Sequence, residues 1–197
     1  VRRKGEYIEV GTAAGGTLCF MLQCLADKPC SRFVVVDTMQ YFEDQLKIVE
    51  KNLANHGLDA GKVDFRVMSS NTAFDRAKAD GERFDFILVD ASHKIRHVMA
   101  DLRWLRLLNI GGLACFHDYT PKFKGVCWPI DRFLGRNPQF SRVGLEGSLL
   151  CIRREEDSLR REVSWSDRLW ALLWSPILQL DLSLRKRLKS KRDSCPA

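Results

Sequence analysis

The seven cysteines of this 197-residue chain, at 19, 24, 30, 115, 127, 151 and 195, contain no Cys-x-x-Cys pair and are odd in number. Several stand inside apolar runs, as in Leu18-Cys-Phe and Ala114-Cys-Phe, where a thiol packs as a small hydrophobe. This argues against a secreted, disulfide-built fold and for a reducing compartment. No apolar run is long enough to span a bilayer, no signal-peptide pattern opens the chain, and the terminal Cys195-Pro-Ala lacks the spacing of a prenylation signal. The expectation is a cytoplasmic protein. Val1 stands directly ahead of the first apolar run, and further residues are expected to precede it in the natural protein. No Gly-x-Gly-x-x-Gly is present, which disfavours a nicotinamide dinucleotide enzyme. Internal repeats and low-complexity linkers are absent too. Acidic charge falls short of basic, 25 against 32, and the +4 carried from Ile152 onward is most of the formal +7. The rest is close to neutral, so no nucleic-acid partner is expected.

What the chain does have is an alternation of β-prone and helical segments. Strands are predicted at 7–10, 32–37, 63–68, 84–90 and 113–116, and helices at 16–25, 41–56, 95–108 and 126–134. A closing antiparallel pair is predicted at 140–143 and 148–152. Gly57 reads as a stop for the second helix and Gly111-Gly112 for the third. This order predicts an α/β fold, a Rossmann-like, doubly wound, mostly parallel sheet over residues 1–155, with 156–197 as a helical and basic extension. In such sheets ligands bind outside the carboxyl ends of the strands. Those ends carry Glu9, Asp37, Ser69-Ser70-Asn71, Asp90 and His117-Asp118.

The first crossover reads Tyr7-Ile-Glu-Val-Gly-Thr-Ala-Ala-Gly-Gly-Thr17. Gly11, Gly15 and Gly16 permit positive φ and leave a ligand-sized approach to the unpaired N–H groups of the next helix. The spacing Glu-x-Gly-x-x-x-Gly resembles the first motif of S-adenosylmethionine-dependent methyltransferases of the Rossmann-like type. Asp37 lies where a carboxylate of nucleotide-binding folds meets ribose hydroxyls, although it could instead cap a helix. Ser69 and Ser70 are candidates for an adenine rim, with ordinary turn chemistry as the alternative.

Two later stretches, Phe84-Asp-Phe-Ile-Leu-Val-Asp-Ala-Ser-His93 and Gly111-Gly-Leu-Ala-Cys-Phe-His-Asp-Tyr119, resemble a subgroup of these methyltransferases that modifies hydroxyls on sugars and natural-product scaffolds. The resemblance runs from about Tyr7 to Ile152. It includes Gly125-Val126 ahead of Ile130 to Leu134 and a late Gly-Ser-Leu strand. It implies S-adenosylmethionine held by Glu9, Gly11, Gly15, Asp37, Ser69, Ser70 and Asp90, a divalent metal on Asp90, His117 and Asp118, and His93 as base, with His117 as a second candidate. Chemistry supports such a set independently: an aliphatic hydroxyl needs a proton acceptor, a bound cation lowers its pKa, and in-line positioning supplies much of the acceleration. Imidazole is an unusual ligand for magnesium. The metal therefore differs, or His117 acts as a base or outer support, or no metal binds. Asp101 reads as a solvent-facing residue or a partner of Arg103, and His56 and His97 as surface residues.

Beyond Ser164, Trp165, Leu169, Trp170, Leu172, Leu173, Trp174, Ile177 and Leu178 form a Trp-rich cluster interrupted by Pro176, and Arg185 to Arg192 is a basic run. Such a segment suits a membrane interface, a second copy of the chain, or packing on its own domain ahead of a disordered basic end. The functional expectation is methyl transfer to a small hydroxylated acceptor. A metal-independent or nitrogen-directed enzyme and a non-catalytic docking protein are the alternatives.

Overall fold

In a computed structural model that describes residues 5–25, 32–157 and 162–193, one seven-stranded sheet has the order β3-β2-β1-β4-β5-β7-β6. The elements are β1 (Glu6–Val10), α1 (Gly16–Cys24), β2 (Arg32–Asp37), α2 (Gln45–Asn55), β3 (Val63–Val67), α3 (Ser70–Ala79), β4 (Phe84–Val89), α4 (Ile95–Asp101), β5 (Leu108–Phe116), α5 (Lys124–Leu134), β6 (Phe140–Glu146), β7 (Leu149–Arg154) and α6 (Trp165–Asp193). β1 pairs in parallel with both β2 and β4, so the winding reverses there and a crevice opens at the strand ends. β7 runs antiparallel to β5 and β6, as expected.

Period-two alternation divides the core. Val34 and Val36 face one side with Ile8, Val10 and the residues of α3 to α6, while Phe33 and Val35 face the other with Leu18, Val49 and Leu53 of α1 and α2. Both faces are covered, which is why the β2 sequence is continuously apolar.

Several elements depart from the sequence reading. α2 begins at Gln45 rather than 41, because Met39 and Asp44 take positive φ (54° and 53°) and hold 38–44 out of the helix. α3 was not expected. Its apolar face is Ala73, Phe74 and Ala77, short enough to be lost among the polar residues around it. The helix expected over 95–108 is α-helical only to Asp101 and continues as a 3-10 helix to Leu107. Gly111 and Gly112 lie inside β5, not at a helix end. Gly111 sits at φ 70° and the β4–β5 register slips between Phe84 and Phe86. A Cβ on Gly112 would fall 2.8 Å from the Asn109 carbonyl, so the bulge requires glycine.

Pro176 does not interrupt α6, which runs through it. Ser164 and Asp167 cap the helix reciprocally: Asp167 N–H donates to Ser164 Oγ (3.3 Å) and Ser164 N–H to Asp167 Oδ2 (3.0 Å). Asp167 also accepts from Arg132 Nε and Arg136 Nη1 of the α5 region, each at 2.8 Å. Burial alone would raise its carboxyl, but the Ser164 and Arg132 hydrogen bonds outweigh it and hold the group below its ordinary value. Ala171 and Leu178 enter the main core, and Trp174 meets Trp128 edge-on at 5.1 Å. α6 therefore packs on the sheet's own helical layer. Cys30 and the Cys195-Pro-Ala end lie outside the described residues, as do the side chains of the basic run. Among the described residues no helix is long and apolar enough to cross a membrane.

Candidate active site

The ends of β1, β2, β4 and β5 bring the polar residues to one edge of the sheet, in two groups. The first surrounds the glycine turn. Gly11 has φ 87°, and a Cβ there would lie 2.5 Å from Ala91 Cα; it is glycine because the turn passes against the end of β4. Asp37 is not a helix cap. Its Oδ2 accepts from Thr12 N–H at 3.0 Å and its Oδ1 from Met39 N–H at 2.8 Å, tying the end of β2 to the turn. Gln45 and Asn52 of α2 donate to the carbonyls of Ala13 (3.0 Å) and Ala14 (2.8 Å). These two clamps were missed from sequence. Their signal was two amides seven residues apart on α2, one of them buried.

Beneath the turn lies Glu9, 1% exposed. Burial pushes its carboxyl up to about 8, the neighbouring Thr12 side chain lowers it in part, and the Asp90 and Asp37 charges raise it further. Glu9 Oε2 and Thr12 Oγ1 are buried without a hydrogen-bond partner. Orphaned polar atoms at a strand end invite a polar ligand group, and a cationic one above all. Thr12 was not singled out from sequence, although it sits in the middle of the glycine turn.

The second group joins β4 and β5. Asp90 N–H donates to Val10 C=O and His117 N–H to Val89 C=O, which extends the sheet ladder just past the strands and fixes both residues side by side. Asp118 then adopts φ 56°, turning its carboxylate back over the cluster. Its Oδ2 lies 2.7 Å from His93 Nε2 and 3.5 Å from His117 Nδ1, which is itself 3.3 Å from Asp90 Oδ1. Burial raises the Asp90 carboxyl; the His117 charge opposes this and Asp118 reinforces it. One donor atom from each of Asp90, His117 and Asp118 falls within 4.8 Å of the others. His93 is further held by a ring stack on Phe123 (4.5 Å between centroids), and Gly125 is glycine because a Cβ would collide with the His93 carbonyl. Phe123 was another omission of the sequence reading.

Two candidate hydroxyls, Ser69 and Ser70, and the expected surface residue Asp101 take structural partners. Ser70 opens α3 with its hydroxyl pointing inward, donating to Asp101 Oδ1 (2.5 Å) and accepting from Trp104 Nε1 (2.9 Å), so the hydroxyl is engaged within the chain. Asp101 is not a surface residue: it is 3% exposed, and burial raises its carboxyl to about 7 while Ser70 lowers it in part. Arg103 pairs instead with Asp75 and Asn71. Ser69 caps α3, accepting from Thr72 N–H at 3.2 Å. His56 and His97 are exposed, as expected.

Comparison with known proteins places this arrangement. A family model described as a methyltransferase domain matches residues 8–119, more than half of the chain, from β1 to the residue after Asp118. The chain belongs to this methyltransferase family. Solved structures share the fold of this methyltransferase. CalS11, a TDP-rhamnose 3'-O-methyltransferase of calicheamicin biosynthesis, is 15% identical with a TM-score of 0.62 over 77% of this chain and 72% of its own. The O-methyltransferase NovP is 15% identical with a TM-score of 0.63 over 77% and 72%. TomG from Streptomyces achromogenes, solved with S-adenosylmethionine, is 18% identical with a TM-score of 0.57 over 77% and 74%. At these identities the likeness carries the fold. No curated protein matches the methyltransferase.

Proposed function

We propose that this methyltransferase transfers a methyl group from S-adenosylmethionine to a hydroxyl of a small acceptor, of the sugar or natural-product kind. The observation that carries the reading is the position of the two polar groups. A buried carboxyl with its Oε2 unpaired and a glycine turn lie on one side of the switch point, and a His–Asp cluster lies directly beside them on the other. CalS11 acts on a sugar hydroxyl and TomG holds S-adenosylmethionine, which supports the same chemistry here.

The chain's residues fit the cofactor. Glu9 and Thr12 offer unpartnered oxygens to its positively charged end, and the turn of Gly11 and Gly15 leaves backbone close to it. Asp37 and Ser69 stand at the ends of β2 and β3, where the nucleoside lies in this fold class. When bound, the cofactor supplies an electrophilic methyl carbon on a sulfonium. The chain must then position the acceptor oxygen and take its proton. With Nε2 of His93 donating to Asp118, Nδ1 is the basic atom left to that ring. Asp118 orients the imidazole and stabilises the imidazolium formed when it takes the proton, while His117 stands as a second acceptor beside Asp90.

Asp90, His117 and Asp118 fit a divalent cation by donor type and spacing, with a nitrogen that suits zinc, iron or copper better than magnesium. Such a cation would lower the acceptor hydroxyl pKa. Loss of turnover on chelation, restored by one added metal, supports the metal-assisted version, whereas EDTA-insensitive turnover assigns the work to the imidazoles alone. The outer face of α6 supports contact with a membrane surface or a second copy: Leu169, Leu172, Leu173, Ile177 and Leu180 are all exposed on it. Calorimetric titration with S-adenosylmethionine and with NAD tests the cofactor. Binding of NAD and not of S-adenosylmethionine would overturn the reading.

A further inference from the structure

His93 borders a second space. A cavity of about 100 Å³ lies between the start of α4, the Lys122–Gly125 turn into α5, and α6. Its floor is apolar, from Ile95, Phe123 and Leu178, and its rim carries Lys94, Lys122 and Lys124, with no carboxylate in the lining. Among the described residues neither Lys94 nor Lys122 has an ion-pair partner. The Lys122 ammonium stands 5.3 Å from the centre of the Phe123 ring that also stacks on His93.

We propose that this cavity receives the body of the acceptor, and that the acceptor is an amphiphilic anion: an apolar segment bearing a phosphate or carboxylate besides the hydroxyl to be methylated. The inference deepens the methyl-transfer reading above and rests on it. His93 is shared between this cavity and the small cleft that holds Asp90 and His117, so a molecule filling the one presents its end to the other. The charges at the two ends are opposite. Asp90 lines the cleft and Asp118 pairs with His93, whereas the lysines line the cavity, so an anionic acceptor is turned with its anion among the lysines and its hydroxyl toward His93, and the reverse orientation sets like charges together. An exposed lysine alone recognises little. Three lysines around one apolar floor add their attraction for an anion whose apolar part is seated there. α6 has a place in this scheme, because Leu178 contributes to the apolar floor. The Trp-rich extension thereby becomes part of the acceptor site.

The test uses the full chain with S-adenosylhomocysteine present and two fluorescent probes of one shape, 1-naphthyl phosphate and 1-naphthol. The phosphate is expected to bind at least about tenfold tighter at moderate salt, and the Lys94→Ala/Lys122→Ala pair to lose about tenfold for the phosphate while naphthol changes less than about twofold. Leu178→Ala is expected to weaken both probes alike. Equal affinity for the two probes, or a lysine pair variant that binds the phosphate as the parent does, overturns the proposal. Displacement of naphthyl phosphate by an equal concentration of inorganic phosphate removes its apolar half. Calorimetry with S-adenosylhomocysteine on the same samples separates the two failures. If the cofactor product does not bind, the methyl-transfer reading falls; if it binds and the probes do not discriminate, only the acceptor class falls.

Discussion

The two halves of the strand-end site are built in opposite ways. Around β1 and β2 the work falls to backbone and to groups fixed from several sides: Asp37 holds two N–H groups, Gln45 and Asn52 clamp two carbonyls, and Glu9 is sealed beneath the turn. Around β4 and β5 it falls to half-exposed side chains facing one another, with one carboxylate oxygen of Asp118 serving two imidazoles. The first half is made to hold a ligand in one pose. In the second, a proton or a cation can come and go. Binding and chemistry are thus separable along the sheet, and changes on either side should separate them in measurement.

The largest separation is expected at Asp118. Asp118→Ala removes the carboxylate that His93 and His117 share, leaving His117 only Asp90, and methyl transfer should fall about 10³-fold while S-adenosylhomocysteine affinity stays within about threefold. A matching loss in affinity would show that the halves are not distinct. Gly11→Ala should instead damage both, because the new Cβ meets Ala91 and the end of β4; denaturant melts should show a loss of about 2–3 kcal/mol.

Asp101 serves as a control, buried in neither half. Its carboxyl is raised in the folded chain, so between about pH 4 and pH 7 the unfolded chain gives up its proton first and stability falls as pH rises. Asp101→Asn should remove that slope and gain on the order of 2 kcal/mol at pH 8 in urea melts, with cofactor binding unchanged. A variant whose slope matches the parent's would remove Asp101 as its source.

The smallest effect is expected at Glu9. With its carboxyl near 8 in the free chain, a cationic ligand that draws out the carboxylate must release a proton. Affinity for S-adenosylmethionine should then rise with pH up to about 8, by no more than about tenfold per unit. Calorimetry at pH 7 in buffers of different ionisation heat reads the proton directly, and Glu9→Gln should abolish its release.

The sheet was legible because its signals were local: β-branched runs such as Phe33 to Val36, and glycines between strand and helix. The strand-end residues followed from the rule that ligands gather at the carboxyl edge. What stayed hidden depended on side-chain direction. Ser70 read as an adenine-rim or turn residue and Asp101 as a solvent-facing one or a partner of Arg103, yet the turn of α3 points one at the other beside Trp104, and no periodicity reports a buried hydrogen bond. Gly111-Gly112 read as a helix stop because a bulge and a cap demand the same residue. Phe123 and Leu178 meet His93 and its cavity only through the packing of α5 and α6, over a sequence distance that no motif spans.

The most direct test is calorimetric titration of S-adenosylhomocysteine into the parent chain, Asp37→Ala and Asp118→Ala side by side. Saturable one-to-one binding by the parent, weakened at least about tenfold by Asp37→Ala and nearly untouched by Asp118→Ala, is the predicted result. No binding by the parent, or equal loss in both variants, would contradict the division of labour between the two strand pairs.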